Sequence, residues 1–261
     1  MSETIIEVRE LGKKFAGSGG RGEKIAVAGL TLSIRRGEVF GLLGPNGAGK
    51  TTTVRMLTLQ TKAGEGSIFF SGKNIYEFER EVKQMFGIVP QHVNFDRELT
   101  AAENLELHAR LHHLPGGEIA SRIDELLAYV GLSEQANYRI NQLSGGMKRR
   151  LLIARALMHR PKILFMDEPT VALDPQVRRR IWDLVRQLAA DKVTVILTTH
   201  YIEEAENLCG RVAILNKGRL IALGSPEELC RASGKSTLED AFIALVGNAK
   251  DSGKEVAGSA R

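Results

Sequence analysis

The chain has 261 residues, a length that favours one large domain or two small ones. Its 43% apolar and 26% charged content is ordinary globular usage and excludes disordered, collagenous and low-complexity classes. Lys and Arg outnumber Asp and Glu by 36 to 31, and the net charge of +5 suits an anionic partner without choosing among a membrane face, a nucleotide and a nucleic acid.

The longest stretch free of Asp, Glu, Lys and Arg runs from Gln84 to Phe95 and is broken by Pro90, Gln91 and Asn94. A membrane span needs about 20 apolar residues, so none is expected. The start MSETIIEVRE has acids where a secretory signal would be basic. Two cysteines, Cys209 and Cys230, make no disulfide framework and lack metal spacing, which fits a reducing compartment.

Thr4–Val8 and Ile25–Ile34 are β-rich and partly alternating, and predict strands joined by a flexible glycine loop, Ala16 to Gly22. Val39–Leu43 predicts a short apolar strand, then a glycine-rich turn and a helix through about Leu59. Ser67–Phe70 and Gly87–Val89 predict further strands. From about residue 96 to 146 no strand pattern is visible. There Ile119, Ile123, Leu126, Leu127 and Val130 make one helical stripe, stopped by Gly131. An inserted helical subdomain is the reading.

Beyond it, strands and helices alternate. Ile163–Met166, Val193–Leu197 and Val212–Leu215 predict strands, while Val177, Ile181, Leu184, Val185 and Leu188 stripe a helix. This alternation implies a mostly parallel sheet covered on both faces. Leu238, Phe242, Leu245 and Val246 predict a last amphipathic helix. The domain is expected to span 1–247, with 248–261 a disordered tail.

Three motifs carry chemistry. Gly44-Pro45-Asn46-Gly47-Ala48-Gly49-Lys50-Thr51 fits G-x-x-x-x-G-K-[ST] between a strand and a helix. Its glycines let backbone N–H groups turn in on a polyphosphate, and the helix end adds partial positive charge. Lys50 reaches the β- and γ-phosphates, and the Thr51 hydroxyl can ligate Mg²⁺. Ile163 to Glu168 is an apolar strand ending in two acids. Asp167 suits Mg²⁺ at a sheet edge, and Glu168, facing the other way on an extended chain, can polarise an attacking water. Leu143-Ser144-Gly145-Gly146-Met147 reads equally as a plain Ser N-cap with a flexible approach or, since a helix N-terminus offers bare N–H groups, as a second anion site.

Together these motifs resemble the nucleotide-binding subunits of ABC (ATP-binding cassette) transporters, over about Ile5 to Gly247. The resemblance implies an α/β fold: a P-loop NTPase core with a mostly parallel sheet, an N-terminal antiparallel β subdomain and an inserted helical subdomain. It implies ATP hydrolysis with Mg²⁺. Leu143–Met147 corresponds to the loop that touches the γ-phosphate of ATP held by a second subunit, the two chains pairing head to tail. Met147 stands where the family usually has Gln, while Ser144, Gly145 and Gly146 are retained.

Carried over position by position, Phe15 matches the adenine-stacking aromatic, and Thr52 joins Lys50 and Thr51 in the phosphate loop. Gln91 matches a glutamine of the Mg²⁺ shell, Asp174 the loop that crosses the dimer, and His200 the γ-phosphate switch histidine. The resemblance further implies a homodimer bound to a separate integral-membrane permease at the cytoplasmic face of the membrane, with no nucleic-acid partner. Val89-Pro90-Gln91, Glu98-Leu99-Thr100, Glu103-Asn104-Leu105 and the late Thr237 to Phe242 are similar to type-2 exporters of drugs, polysaccharides and lipid-linked cargo. An importer ATPase shares the catalytic motifs. A soluble ABC ATPase on ribosomes or DNA would suit the basic charge, but two cassettes in one chain or a long coiled coil are missing. A metabolic kinase leaves Leu143–Met147 unexplained.

Other features have bland readings. His108, His112 and His113 sit in a helical stretch without a carboxylate or cysteine at metal spacing. Cys209 reads as packing. The runs Lys148-Arg149-Arg150 and Arg178-Arg179-Arg180 read as solvated helix faces.

Overall fold

The computed structural model describes residues 3–16 and 22–251. Most of the expected glycine loop, and residues 252–261 of the expected tail, lie outside them. The chain forms two compact units, the first Met1–Glu79 with Ile196–Arg261, the second Arg80–Val195.

The first unit opens with β1 (Thr4–Ala16), β2 (Glu23–Arg35), β3 (Val39–Leu43), α1 (Lys50–Leu57), β4 (Glu65–Phe70) and β5 (Lys73–Asn74). Four of these strands pair antiparallel in the order β2-β1-β4-β5. Val8 in the central strand faces Leu32 on one side and Ile68 on the other, and all three are buried. Burying each such side chain contributes about 1.5–3 kcal/mol. This is the expected antiparallel subdomain, with strands longer than their apolar cores predicted.

The second unit contains α2 (Glu79–Met85), β6 (Phe86–Val89), α3 (Ala101–Leu111), α4 (Gly116–Tyr129), α5 (Gly145–Leu157), β7 (Ile163–Asp167) and α6 (Pro175–Ala190). Strands β6 and β7 run parallel, from Phe86 opposite Ile163 to Val89 opposite Met166. Ile163, Leu164, Phe165 and Met166 are fully buried, as a strand covered on both faces requires. The expected α4 stripe is buried at all five positions, and Gly131 adopts φ +64 just past the helix. In α6, Ile181, Leu184, Val185 and Leu188 are buried with Trp182, and Val177 is half-buried. Between residues 96 and 146 the only β pairing among the described residues is one bridge, Thr100 to Arg139.

Strand β8 (Thr194–Thr199), buried along its length, crosses the unit boundary. The chain then continues through α7 (Ile202–Leu208), β9 (Arg211–Asn216), β10 (Arg219–Gly224), α8 (Pro226–Ser233) and α9 (Leu238–Asp251) in the first unit. Strands β3 and β9 are parallel, with Phe40 opposite Arg211 and Leu43 opposite Ile214. A hairpin turn at Lys217 and Gly218, φ +46 and +79, reverses β9 into antiparallel β10. Helix α9 runs past Gly247 to Asp251, so the start of the expected tail is helical. Cys209 is packing: a Cβ on Gly41 would sit 2.7 Å from its Sγ, and burial raises its thiol pKa far above the ordinary range. Among the described residues, no helix is long and apolar enough to cross a membrane.

Candidate nucleotide and catalytic site

In the first unit, β3 delivers the glycine-rich loop directly into α1. Gly47 has φ +79 and Gly49 φ +104, conformations open to glycine. Gly49 caps α1 without a side-chain hydrogen bond, and the first turn carries no acid, so no carboxylate of the helix itself opposes the positive end of its dipole. The ammonium of Lys50, almost fully buried, donates to the carbonyls of Gly44 at 2.7 Å and Pro45 at 3.2 Å. Those oxygens occupy the donor that an anionic oxygen would take. Thr51 and Thr52 follow on the first turn, both half-buried.

The loop is braced from behind. Gly218 N donates to Ala48 O at 3.0 Å, and Ala28 N donates to Gly218 O at 2.8 Å. The tight hairpin turn therefore holds the loop through backbone alone. A Cβ on Gly44 would strike the Leu215 carbonyl, and one on Gly49 would lie 2.6 Å from Ala26 O. The Asn216-Lys217-Gly218 turn signal, between two β-rich runs, was the available clue to this brace.

Also in the first unit, His200 is exposed at the end of β8, its ring 4.3 Å from that of Tyr201. Phe15 is 43% exposed on β1, with the Lys13 ammonium 5.3 Å from its ring centroid. An aromatic face this open is available for stacking.

In the second unit, β7 ends at Asp167. Glu168 is not extended as expected but has φ +46, uncommon for a non-glycine residue. Its side chain is turned by a left-handed backbone rather than by strand alternation. There it accepts a hydrogen bond from Gln91 Nε2, 3.1 Å away, so the structure joins two of the candidate residues.

Arg149 holds the loops that carry this pair, and it corrects the reading of its basic run. It is 5% exposed, not solvated. Its guanidinium donates to Pro90 O (2.5 Å), Glu168 O (2.6 Å) and Pro169 O (2.6 Å). Three carbonyls from two loops thus meet one planar fork of donors. The neighbouring Arg150 closes the end of α4, donating to Val130 O and Gly131 O.

Helix α5 begins with Ser144 as N-cap, its hydroxyl accepting from Met147 N at 3.2 Å. No acid lies in its first turn. A Cβ on Gly146 would come 2.6 Å from a Val177 methyl, whereas one on Gly145 meets nothing within 4 Å. Gly146 is therefore demanded by packing on α6, and Gly145 leaves the helix end open. Asp174 caps α6, accepting from Gln176 N and Val177 N, with Pro175 in the first turn.

The ABC transporter family profile matches residues 27–171. The Nod factor export ATP-binding protein I of Ralstonia nicotianae is 44% identical over 228 residues, 87% of this chain and 69% of that protein. The linearmycin resistance ATP-binding protein of Bacillus subtilis is 46% identical over 217 residues, 83% of this chain and 70% of that one. A solved ATP-binding cassette, dimeric and bound to ADP and phosphate after hydrolysis, superposes with a TM-score of 0.76 at 29% identity, covering 85% of this chain and 98% of its own. The chain belongs to the ABC transporter family, as an ATP-binding and ATP-hydrolysing subunit.

Proposed function

We propose that this subunit powers export: two copies pair head to tail over two ATP molecules and pass their closure to a separate membrane permease at its cytoplasmic face. The names of the two relatives, one for export and one for drug resistance, support the direction. The dimeric state of the solved cassette supports the pairing.

The backbone N–H groups from Gly47 to Thr51 cradle the phosphates, and Lys50 exchanges the Gly44 and Pro45 carbonyls for phosphate oxygens. Phe15 stacks on adenine. Thr51, Gln91 and Asp167 offer the hard oxygen donors that Mg²⁺ prefers, and these residues would hold it. Bound there, the ion supplies charge neutralisation on the phosphates. Glu168 accepts the proton of the attacking water, while His200 contacts the γ-phosphate. Ser144, Gly145 and Gly146 of one copy meet the nucleotide of the other, and Asp174 lies at the crossing between copies. Positioning and charge suffice, because phosphoryl transfer asks little covalent help.

The observation that carries this reading is the Gln91–Glu168 contact on loops tied by Arg149. It supports reading Glu168 as the base and Gln91 as the amide that orients it, on two loops whose carbonyls share one guanidinium. The test is Glu168→Gln, tagged and isolated in detergent with ATP and Mg²⁺ from its own cells. It is expected to bind ATP without turnover, to run as a dimer, and to bring a stoichiometric polytopic membrane protein with it. Ribosomal proteins or DNA in its place, or a monomer for both variant and wild type, would overturn the reading.

A further inference from the structure

Helix α3 sets His108 and His112 one turn apart, and the segment following α5 brings His159 to them. Sequence spacing reveals only the first pair. One nitrogen from each imidazole lies within 4.8 Å of the other two. Ring centroids are 4.5 Å apart for His108 and His112, 4.0 Å for His112 and His159, and 6.4 Å for His108 and His159. All three side chains are half-buried.

The tautomer of His159 is fixed by its surroundings. Its Nε2 lies 2.9 Å from the Phe86 carbonyl oxygen, which can only accept, so Nε2 carries the proton. Nδ1 is then a lone pair, and it is buried with no hydrogen-bond partner. A buried polar atom left unsatisfied is costly and calls for a ligand. An imidazole that gives one N–H to a backbone carbonyl and keeps its other nitrogen as an unpartnered lone pair is in the state metal-binding histidines adopt.

We propose that His108, His112 and His159 form a binding site for a late first-row divalent cation, with Zn²⁺ the occupant that three neutral imidazoles fit best.

The donor set excludes Mg²⁺ and Ca²⁺, which want oxygen. Burial is the largest effect on each imidazole and favours its neutral form, pushing His108 down to about 3 and His159 down to about 4, the latter against the opposing pull of the Phe86 hydrogen bond. The site is thus ready without shedding protons. A cleft of about 370 Å³ opens beside it, bordered by Gln84, His112, Glu118 and His159, with room for the water that completes a fourth position.

Zn–N bonds of about 2.0–2.1 Å put tetrahedral ligands roughly 3.3 Å apart. His112 and His159 are now stacked, with ring planes 10° apart, whereas a ring lone pair lies in its own plane. Binding therefore turns His112 off the face of His159 and draws the three nitrogens together. The ion would clasp α3 to the end of α5, next to β6. It is a structural clip separate from the nucleotide chemistry.

The test uses the full chain, untagged, stripped with chelator and free of nucleotide. Co²⁺ is titrated while its visible d–d bands are followed, then displaced by Zn²⁺. One equivalent with tetrahedral bands and a dissociation constant of about 10 μM or tighter is expected. His108→Asn, His112→Asn and His159→Gln should each weaken binding by about tenfold or more. His113→Asn, one residue along at φ +56, should not, since Asn tolerates that backbone. Circular dichroism identifies any variant that fails to fold, and the remaining two decide. No binding by the folded chain, or binding unchanged in the folded ligand variants, overturns the site.

Discussion

Glycine at position 49 is fixed twice, by conformation and by space. Its φ of +104 is closed to side chains, and a Cβ there would lie 2.6 Å from the Ala26 carbonyl. At Gly47 the φ is +79 but a Cβ meets nothing within 4 Å. The pair separates strain from collision. Gly47→Ala should cost about 1 kcal/mol of stability and weaken ATP binding modestly. Gly49→Ala should cost about 3 kcal/mol or more, because relief of the clash moves the loop off its brace at Gly218. Urea unfolding with binding of a fluorescent ATP analogue measures both effects. Equal losses for the two variants would refute the brace. The sequence identified these glycines because their spacing is local; the brace was hidden because it joins residues some 170 positions apart, Ala48 and Gly218.

Among the elements, α5 does the most with the least visible signal. Its N-terminus is capped by Ser144 and carries no acid in its first turn, its second turn carries Arg149, and the segment after it presents His159. Arg149 shares a helix face with Leu152, Ile153 and Ala156, at i+3, i+4 and i+7, and all of them are buried. That stripe was the available sign that the middle of the basic run points inward. Its charge argued the other way, since Arg is rarely buried without partners. The partners here are loop carbonyls, which no sequence pattern advertises. Arg149→Lys keeps the charge but cannot span three carbonyls, and it should cost about 2–4 kcal/mol of stability. Because those carbonyls position Gln91 and Glu168, kcat should fall while the KM for ATP changes little. A urea midpoint with steady-state ATPase kinetics checks this, and an unchanged kcat in a destabilised variant would reduce Arg149 to a structural strut. The helices α4 and α6 contrast with α5. Their stripes are pure periodicity and were read directly, whereas β10, half-buried along most of its length, gave too weak an alternation.

On the scale of the whole molecule, the chain owns two helix ends suited to phosphate, α1 in the first unit and α5 in the second. Only α1 has a lysine in its loop. In a two-fold dimer, a residue of one copy that meets a residue of the other is met in return, so each nucleotide site would combine the α1 loop of one copy with the α5 end of its partner. This arrangement can be tested without a structure of the dimer. Lys50→Ala removes the phosphate contact. Gly145→Glu sets a carboxylate against the γ-phosphate, in open space and at a helix end that gains about 0.3–1 kcal/mol from an acid. Each variant alone should fold and be inactive. Mixed one to one, half of the dimers are heterodimers, and each holds one site built from the intact α1 loop of one chain and the intact α5 end of the other. ATPase activity should then return to about a quarter of the wild-type rate, for independent sites. If the mixture stays as inactive as its parts while both chains dimerise, the loop and the α5 end that act together belong to the same chain, and the head-to-tail pairing is wrong.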